Sequence, residues 1–483
     1  MKKSILKILE STIQGKVLSQ KVFREFYSVD ASSYQIIPKI IVVAKNEKDV
    51  INTVKIASKL KISVTVRGAG TSLVGSALNN GIIIDMKNFD SIQLSKNFVK
   101  VGSGITKGKL DKNLEVSKKF FPPNPSIGSF CTIGGMLGNN SSGSRSLKYG
   151  SVIDNVLEIT FIDGNGGKIT LPKNKKIAKK ILECTKQIDR NRFPNVTKNS
   201  SGYRIDKIKS INDVHKIILG SEGTLGIILS TKLKIIDNPK KRVLFVIEYK
   251  SINSALKNCI KIKETKPSAI EFVDKTTLVE IKFKFNKKTK CLLFVEYDEK
   301  INFSKKKLKN VVNGKIIQEL KNNVDISQWW KYRDLSLHYS LKSIENKKRV
   351  PHVIEDSAVP LVKLQKLFSA LNTINKKYRT KSIVYGHAGD GNIHIRLISN
   401  RMKSSMIKNI ATQFFKETIR LGGTITAEHG DGLARSEFIK LQYGPKNYQI
   451  FKEIKKIFDP NNILNPGKII TQKSTIIKNL KKF

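Results

Sequence analysis

Three of the six histidines in this 483-residue chain sit in two glycine-framed segments, YGHAGDGNIHIRL (385–397) and TAEHGDG (426–432). His387 and His394 belong to the first, and Glu428 and His429 stand side by side in the second. Two imidazoles and a carboxylate make a recurrent divalent-metal set with positions open for a substrate. A further imidazole can take a proton near neutral pH as a general base. A lone histidine is more often structural, but this concentration in two glycine-rich loops favours a site. For the first segment to contribute both rings, 383–385 and 393–397 must be strands folded back at 386–392, which gathers His387 and His394 from seven positions apart. Strand alternation then sets His394 and Arg396 on one face and Ile393, Ile395 and Leu397 on the other.

A second region, far upstream, suits a redox cofactor. VRGAGTSLVG (66–75) reads as a strand running into a turn whose residues lack bulk, so that backbone N–H groups can converge on an anion such as pyrophosphate. It is not the GxGxxG fingerprint, because Gly68 and Gly70 are followed only by Gly75, and no Gly-Lys-Ser/Thr closes a P-loop. Many tight turns look like this one. The stretch 121–150, FPPNPSIGSFCTIGGMLGNNSSGSRSLKYG, is the second Gly-rich loop. A free linker does not normally embed Ile133, Met136, Leu137 and Tyr149, so an ordered loop packed on a ligand is expected. The two loops together suggest one extended ligand threaded between them.

The elements that must position these segments follow from apolar spacing. Strands are expected at 40–43, 63–67, 82–85, 156–162 and 168–171, the last two joined by a turn at 163–166. A helix over 47–60 begins at Asn46, a side chain able to cap it. Near Asn238-Pro239 the texture changes, and 241–425 alternates strands (243–249, 292–297) with Lys-rich helices. A basic amphipathic helix at 404–421 leads into TAEHGDG, and the Lys-rich tail 471–483 is expected to fray.

Composition narrows the class. A chain of this length needs two or three domains. No uncharged apolar run reaches ~18 residues, so no membrane-spanning helix is expected. The basic start is broken by Lys7 and Glu10, which argues against a signal peptide. The four cysteines (Cys131, Cys184, Cys259, Cys291) form no CxxC pair, which excludes a zinc ribbon and an iron–sulfur cluster and fits a reducing cytoplasm. The net charge of +50, from 89 basic and 39 acidic residues, would suit an acidic partner or an anionic membrane surface. The lysines are scattered, as drift in an AT-rich genome would leave them. No basic cluster with interleaved aromatics marks a specific nucleic-acid site.

RGAGTSLVG, then FFPPNPSIGSFCTIGGMLGNNSSGSRSLKYGSVIDNVL, then ILGSEGTLGII resemble the FAD-linked oxidase domain of the vanillyl-alcohol oxidase superfamily. GHAGDGNIH, AEHGDGLARS and FDPNNILNPGKI resemble its C-terminal domain. The group is that of D-lactate dehydrogenase, the glycolate oxidase flavoprotein subunit and D-2-hydroxyglutarate dehydrogenase, and the likeness spans 27–470. It implies an α+β chain. A two-part FAD-binding domain (1–238) would precede an α/β substrate (cap) domain with a mainly antiparallel sheet (239–425). A segment carrying the catalytic loop back to the FAD domain (426–472) and a basic tail (473–483) would follow.

The resemblance also implies roles. FAD would be held non-covalently, since no His or Cys lies in the first loop and only Cys131 is near the second. Arg67, Gly68, Ala69, Gly70, Thr71 and Ser72 would wrap its pyrophosphate. Pro123, Ser126, Thr132, Gly134, Gly135, Asn139, Ser142 and Gly143 would line the flavin and ribityl chain, and Gly220, Glu222, Gly223 and Gly226 the adenine and ribose side. His387, His394 and Glu428 would bind a divalent metal, zinc or manganese, with His429 as base. The substrate would be a D-2-hydroxy acid, its carboxylate held by Arg333 of QWWKYRD or in its place by Arg396 or Arg349. Arg396 also hints at a second negative group on the substrate. The resemblance carries no cysteine-rich iron–sulfur extension, so electrons are expected to pass to a separate iron–sulfur subunit, a cytochrome or a quinone pathway. The alternative is an FAD-binding electron-transfer subunit of a glycolate oxidase-like complex. A cytoplasmic location is expected, with peripheral membrane association and oligomerisation open.

Overall fold

Runs of β-branched residues buried on both faces set the first sheet of the computed structural model, which describes residues 2–278, 283–335, 353–399 and 403–481. Strands Ile40–Val43, Ile82–Asp85 and Val64–Arg67 lie parallel, in that order, with Lys16–Leu18 antiparallel at the edge. Doubly buried parallel strands read as continuous apolar runs, and IIVV and IIID are such runs. The connecting helix Glu47–Lys59 starts at Asn46, whose side chain accepts from the Asp49 N–H. A five-stranded antiparallel sheet follows, ordered Ile92–Leu94, Phe98–Gly102, Ile227–Lys234, Val156–Ile162, Lys168–Leu171.

The stretch 121–150 is ordered, as expected, but not all loop. Thr132 accepts from the Gly135 N–H and caps a helix, Ile133–Asn139, and a second short helix spans Ser146–Tyr149. Buried Ile133, Met136 and Leu137 hold the first helix against the core despite its glycines. Packing here outweighs the poor helix propensity of glycine.

The third sheet has seven strands, all antiparallel, in the order Lys315–Leu320, Val243–Tyr249, Cys291–Tyr297, Ala269–Asp274, Lys381–Gly386, Asn392–Ile398, Asp356–Ala358. Helices Ile252–Glu264, Leu364–Tyr378 and Ser404–Arg420 contribute buried apolar faces to its core. Helix Ile439–Phe458, kinked at Gly444-Pro445, returns the chain to the first sheet. There Val64 donates to Ile463 O and the Asn465 N–H to Val64 O, both at 2.7 Å. The tail does not fray as expected. The Tyr34 hydroxyl donates to Ile476 O, Gln35 N to Asn479 O and Lys481 N to Ser33 O, and Ile476 is fully buried. The apolar residues between its lysines supply the anchor that a reading of charge alone overlooked.

Candidate active site

One cavity of about 410 Å³ contains both regions singled out by the sequence. It is walled by Gly68 to Ser72 and by Thr132, Gly134, Gly135, Asn139, Ser142 and Gly143, and also by His387, His394, Arg396, Glu428 and His429. Ser126, Glu222, Gly223, Gly226 and Arg333 also line it. The glycines are what make the space. The two loops touch where a Cβ on Gly68 would lie 2.1 Å from Thr132 Oγ1. Gly143, at φ +140°, backs onto Asn124 O, which a Cβ would meet at 2.0 Å. A Cβ on Gly138, another lining residue, would find nothing nearer than 3.9 Å, so a side chain there would take up room left for a bound group. A cleft with thin backbone walls suits FAD.

Three residues expected there do not line the cavity. Arg67 turns behind its loop: Nη1 donates to Val29 O at 2.8 Å, the guanidinium lies 5.3 Å from the Tyr27 ring centre, and it fills the space beneath Gly70. Pro123 is buried outside the cavity wall. Gly220, at φ +81°, donates to Leu137 O and shapes the turn that precedes Glu222. Cys131 does line the cavity, but burial pushes its thiol up to about 11, which keeps it from acting as a ready nucleophile. Arg349 lies outside the described residues.

The histidine hairpin forms as the spacing requires. Tyr385 pairs with His394 across the strands, and Asp356 pairs with His394 on its other side. Gly391 turns at φ +68°, where a Cβ would lie 2.0 Å from Val359 O. The second loop then delivers Glu428 and His429. One atom, Glu428 Oε1, collects the set: His387 Nε2 at 3.0 Å, His394 Nε2 at 3.2 Å and His429 Nε2 at 3.7 Å. His387, His394 and Arg396 are all less than 5 % exposed, so the polar face of the strand looks into the protein and not into water.

A shell of charge that the sequence reading missed holds these groups. Glu271 Oε1 bonds His387 Nδ1 at 2.8 Å and so turns Nε2 toward the centre. Burial opposes the Glu271 charge, but Arg333 and His387 outweigh it and bring the carboxyl down to about 2. Lys198, with no exposed surface, stands 3.2 Å from Glu428 Oε2, and the Ser142 hydroxyl donates to the same oxygen at 2.5 Å. Oε1 is thereby left as the atom presented to the imidazoles. Asp356 Oδ2 accepts three consecutive backbone N–H groups, of Ala427 at 3.1 Å, Glu428 at 2.9 Å and His429 at 2.8 Å, and the Thr426 hydroxyl at 2.9 Å. Glu355 Oε1 bonds His429 Nδ1 at 2.5 Å and is 3.2 Å from Arg435 Nη2. Burial alone would lower His429, but Glu355 and then Asp356 raise it to about 9, not the near-neutral value expected of a free imidazole. The acidic pair in HVIEDSAVP was visible in the sequence; nothing distinguished Glu271 or Lys198 from their neighbours.

The donor set fits a divalent ion. Two buried imidazoles and a carboxylate, with ligand atoms within 4.8 Å of one another and a second carboxylate behind one ring, are what zinc or manganese requires. Glu355, His394 and His429 form a second such group. Arg435 and Arg396, at 3.2 and 3.9 Å from Glu355, already supply positive charge there and disfavour a second cation.

Residues 38–171 match the FAD binding domain, and residues 238–469 match the C-terminal domain of FAD linked oxidases. The chain is an FAD-dependent oxidoreductase of the FAD-linked oxidase family. It is 27 % identical to glycolate oxidase subunit GlcD of Bacillus subtilis over 93 % of both chains. It is 28 % identical to a D-lactate dehydrogenase of Anaerostipes hadrus over 89 % of each. It is 26 % identical to a D-2-hydroxyglutarate dehydrogenase of Pseudomonas putida, covering 95 % of this chain but 51 % of that longer one. An alkyldihydroxyacetonephosphate synthase structure shares the fold, with TM-score 0.69, 18 % identity and coverage of 96 % of this chain and 85 % of that one. Together these place the FAD-linked oxidase in the vanillyl-alcohol oxidase type of fold. Among the described residues no helix is long and apolar enough to cross a membrane.

Proposed function

We propose that this FAD-linked oxidase is a metal-assisted dehydrogenase of D-2-hydroxy acids of the D-lactate, glycolate or D-2-hydroxyglutarate type, giving the 2-oxo acid. The observation that carries the reading is the single cavity joining the glycine loops to the His387, His394, Glu428 and His429 cluster. FAD held between the loops supplies a hydride acceptor at N5 for the C2 hydrogen. A divalent ion held by His387, His394 and Glu428 supplies Lewis acidity toward the hydroxyl.

The chain's own residues do the remainder. His429 accepts the hydroxyl proton at Nε2, because Nδ1 is committed to Glu355 and that bond fixes which nitrogen is free. The two neighbouring carboxylates stabilise the imidazolium that results. A divalent ion held by His387, His394 and Glu428 would oppose that charge and favour the neutral, proton-accepting ring. Glu271 and Lys198 orient the ligand atoms, and Asp356 fixes the loop that carries both Glu428 and His429. A guanidinium of the cavity wall, Arg333 or Arg396, receives the substrate carboxylate.

The reading is tested by anaerobic addition of D-lactate, glycolate or D-2-hydroxyglutarate to the purified yellow protein, which should bleach the flavin. Protein that cannot take up FAD, or whose flavin none of these acids reduces, removes the proposal. His429→Ala should retain flavin and lose reduction by substrate. Chelator treatment should abolish reduction, and zinc or manganese should restore it.

The likeness to a chain named as a subunit, over nearly its full length, favours a second reading in which this protein works only inside a complex. Substrate-driven bleaching of the isolated chain would rule that out. In either case the reduced flavin needs an acceptor, for which an iron–sulfur subunit, a cytochrome and a quinone are the candidates.

A further inference from the structure

Among the described residues two guanidiniums reach the cavity, and they are not equivalent. Arg333 is already engaged: Nε donates to Glu271 Oε2 at 2.6 Å, Nη2 lies 2.5 Å from the same oxygen, and Nη1 faces Ser126 Oγ at 3.3 Å. Its charge is largely met by the carboxylate that also orients His387. Arg396 is 4 % exposed and lines the cavity, yet its Nε and Nη1 have no hydrogen-bond partner among the described residues. Only Nη2 approaches an acid, Glu355 Oε2, at 3.9 Å. Buried guanidinium donors without partners are costly, and a structure retains them where a ligand completes them.

Placement says which part of a ligand that is. Arg396 follows His394 by two residues on strand Asn392–Ile398, on the same face, a rise of roughly 7 Å. The His394 ring stacks on His429 at 5.1 Å and lies 5.3 Å from the Tyr385 ring. An anion seated on Arg396 therefore sits within the length of a very small molecule from the base and the ligand set. We infer that Arg396 is the residue that receives the carboxylate attached to the reacting carbon, and that it makes this site selective for 2-hydroxy acids over their uncharged derivatives. The inference deepens the dehydrogenase reading and rests on it for the identity of the reacting carbon. The cation that the sequence suggested for a second negative group is occupied by the first. Arg333 becomes a positioning residue that acts on His387 through Glu271.

The test uses the FAD-loaded protein and the variants Arg396→Met and Arg396→Lys. Pyruvate, as the product-side anion, is titrated against the visible spectrum of the bound flavin. Anaerobic reduction rates are compared for D-lactate and D-lactamide, and flavin and metal contents are measured for every variant. Arg396→Met should weaken pyruvate binding by about 10- to 100-fold, the range for losing a charge-assisted pair. It should collapse the preference for acid over amide while flavin and metal contents stay at the wild-type level. Arg396→Lys should recover part of the affinity, because an ammonium keeps the charge but not the two-pronged geometry. Unchanged pyruvate affinity in both variants overturns the assignment. Equal weakening toward acid and amide does so too, since that marks lost shape and not a lost carboxylate contact. If Arg396→Met fails to fold, the acid-to-amide ratio of Arg396→Lys decides on the same criteria. Wild-type protein that binds pyruvate through Arg396 but is reduced by no hydroxy acid keeps the clamp and removes the dehydrogenase reading. Reduction by D-lactate with variants that behave as wild type does the reverse.

Discussion

Replacing Asp356 by Asn should dismantle the site while leaving the flavin in place. One oxygen of this fully buried carboxylate accepts three successive N–H groups from 427–429 and a hydroxyl, and the other accepts Asn392 Nδ2 at 3.1 Å. Asparagine is nearly isosteric but carries one acceptor and one two-proton donor. If its oxygen faces the loop, its amide faces the amide of Asn392. If it flips, its amide faces three N–H donors. Either orientation sets donor against donor in a region without water access. Each hydrogen bond to a charged acceptor is worth about 1.5–3 kcal/mol. Losing the charge and mispairing one edge should cost on the order of 3 kcal/mol locally. That is enough to free the backbone carrying Glu428 and His429. Metal affinity should fall by about 10- to 100-fold, as for loss of a group that orients a ligand. Flavin absorbance should persist, because Asp356 does not line the cavity. Metal titration of the flavin-loaded protein, with thermal unfolding alongside, measures both. A variant that binds zinc and is reduced by substrate as wild type refutes the argument that this carboxylate organises the loop.

Gly143→Ala should lose FAD, because its Cβ would sit 2.0 Å from a backbone oxygen at a φ that alanine disfavours; Gly467→Ala, also at positive φ but with nothing within 4 Å, should keep it. Visible absorbance per protein distinguishes the two. In metal-free protein His429, raised from 6.5 to about 9, contributes stability that is fully present below pH 6.5 and is lost as pH rises to about 9. Glu355→Gln should shrink that loss, and melting temperatures across the interval check it. In the working enzyme the same substitution should shift the rising limb of the reduction rate to lower pH by about one unit or more; an unmoved limb removes Glu355 as the partner that raises the ring.

Much of this protein was legible without coordinates. Asn46 capping a helix, the strand bounds 82–85 and 156–162, and the gathering of the His387 and His394 rings, 5.2 Å apart, by a hairpin are local matters, governed by alternation, capping and glycine placement within a few residues. Residue type suggested that the two glycine loops share one space, and both line the same cavity. What stayed hidden depends on side chains far apart in the chain. Arg67 belongs to a glycine loop and yet points away from the cavity, because Tyr27 and Val29 offer it partners on the other side. Lys198 meets Glu428 across 230 residues, and Glu271 meets His387 across 116. The choice between Arg333 and Arg396 could not be made from spacing, since both are arginines in suggestive motifs. The inference for Arg396 rests on tertiary packing, which spends the Arg333 guanidinium on a buried carboxylate and leaves two donors of Arg396 without a partner among the described residues. Residue types declare what chemistry is available, but burial and partnership, which are long-range properties, decide which of those groups is free to perform it.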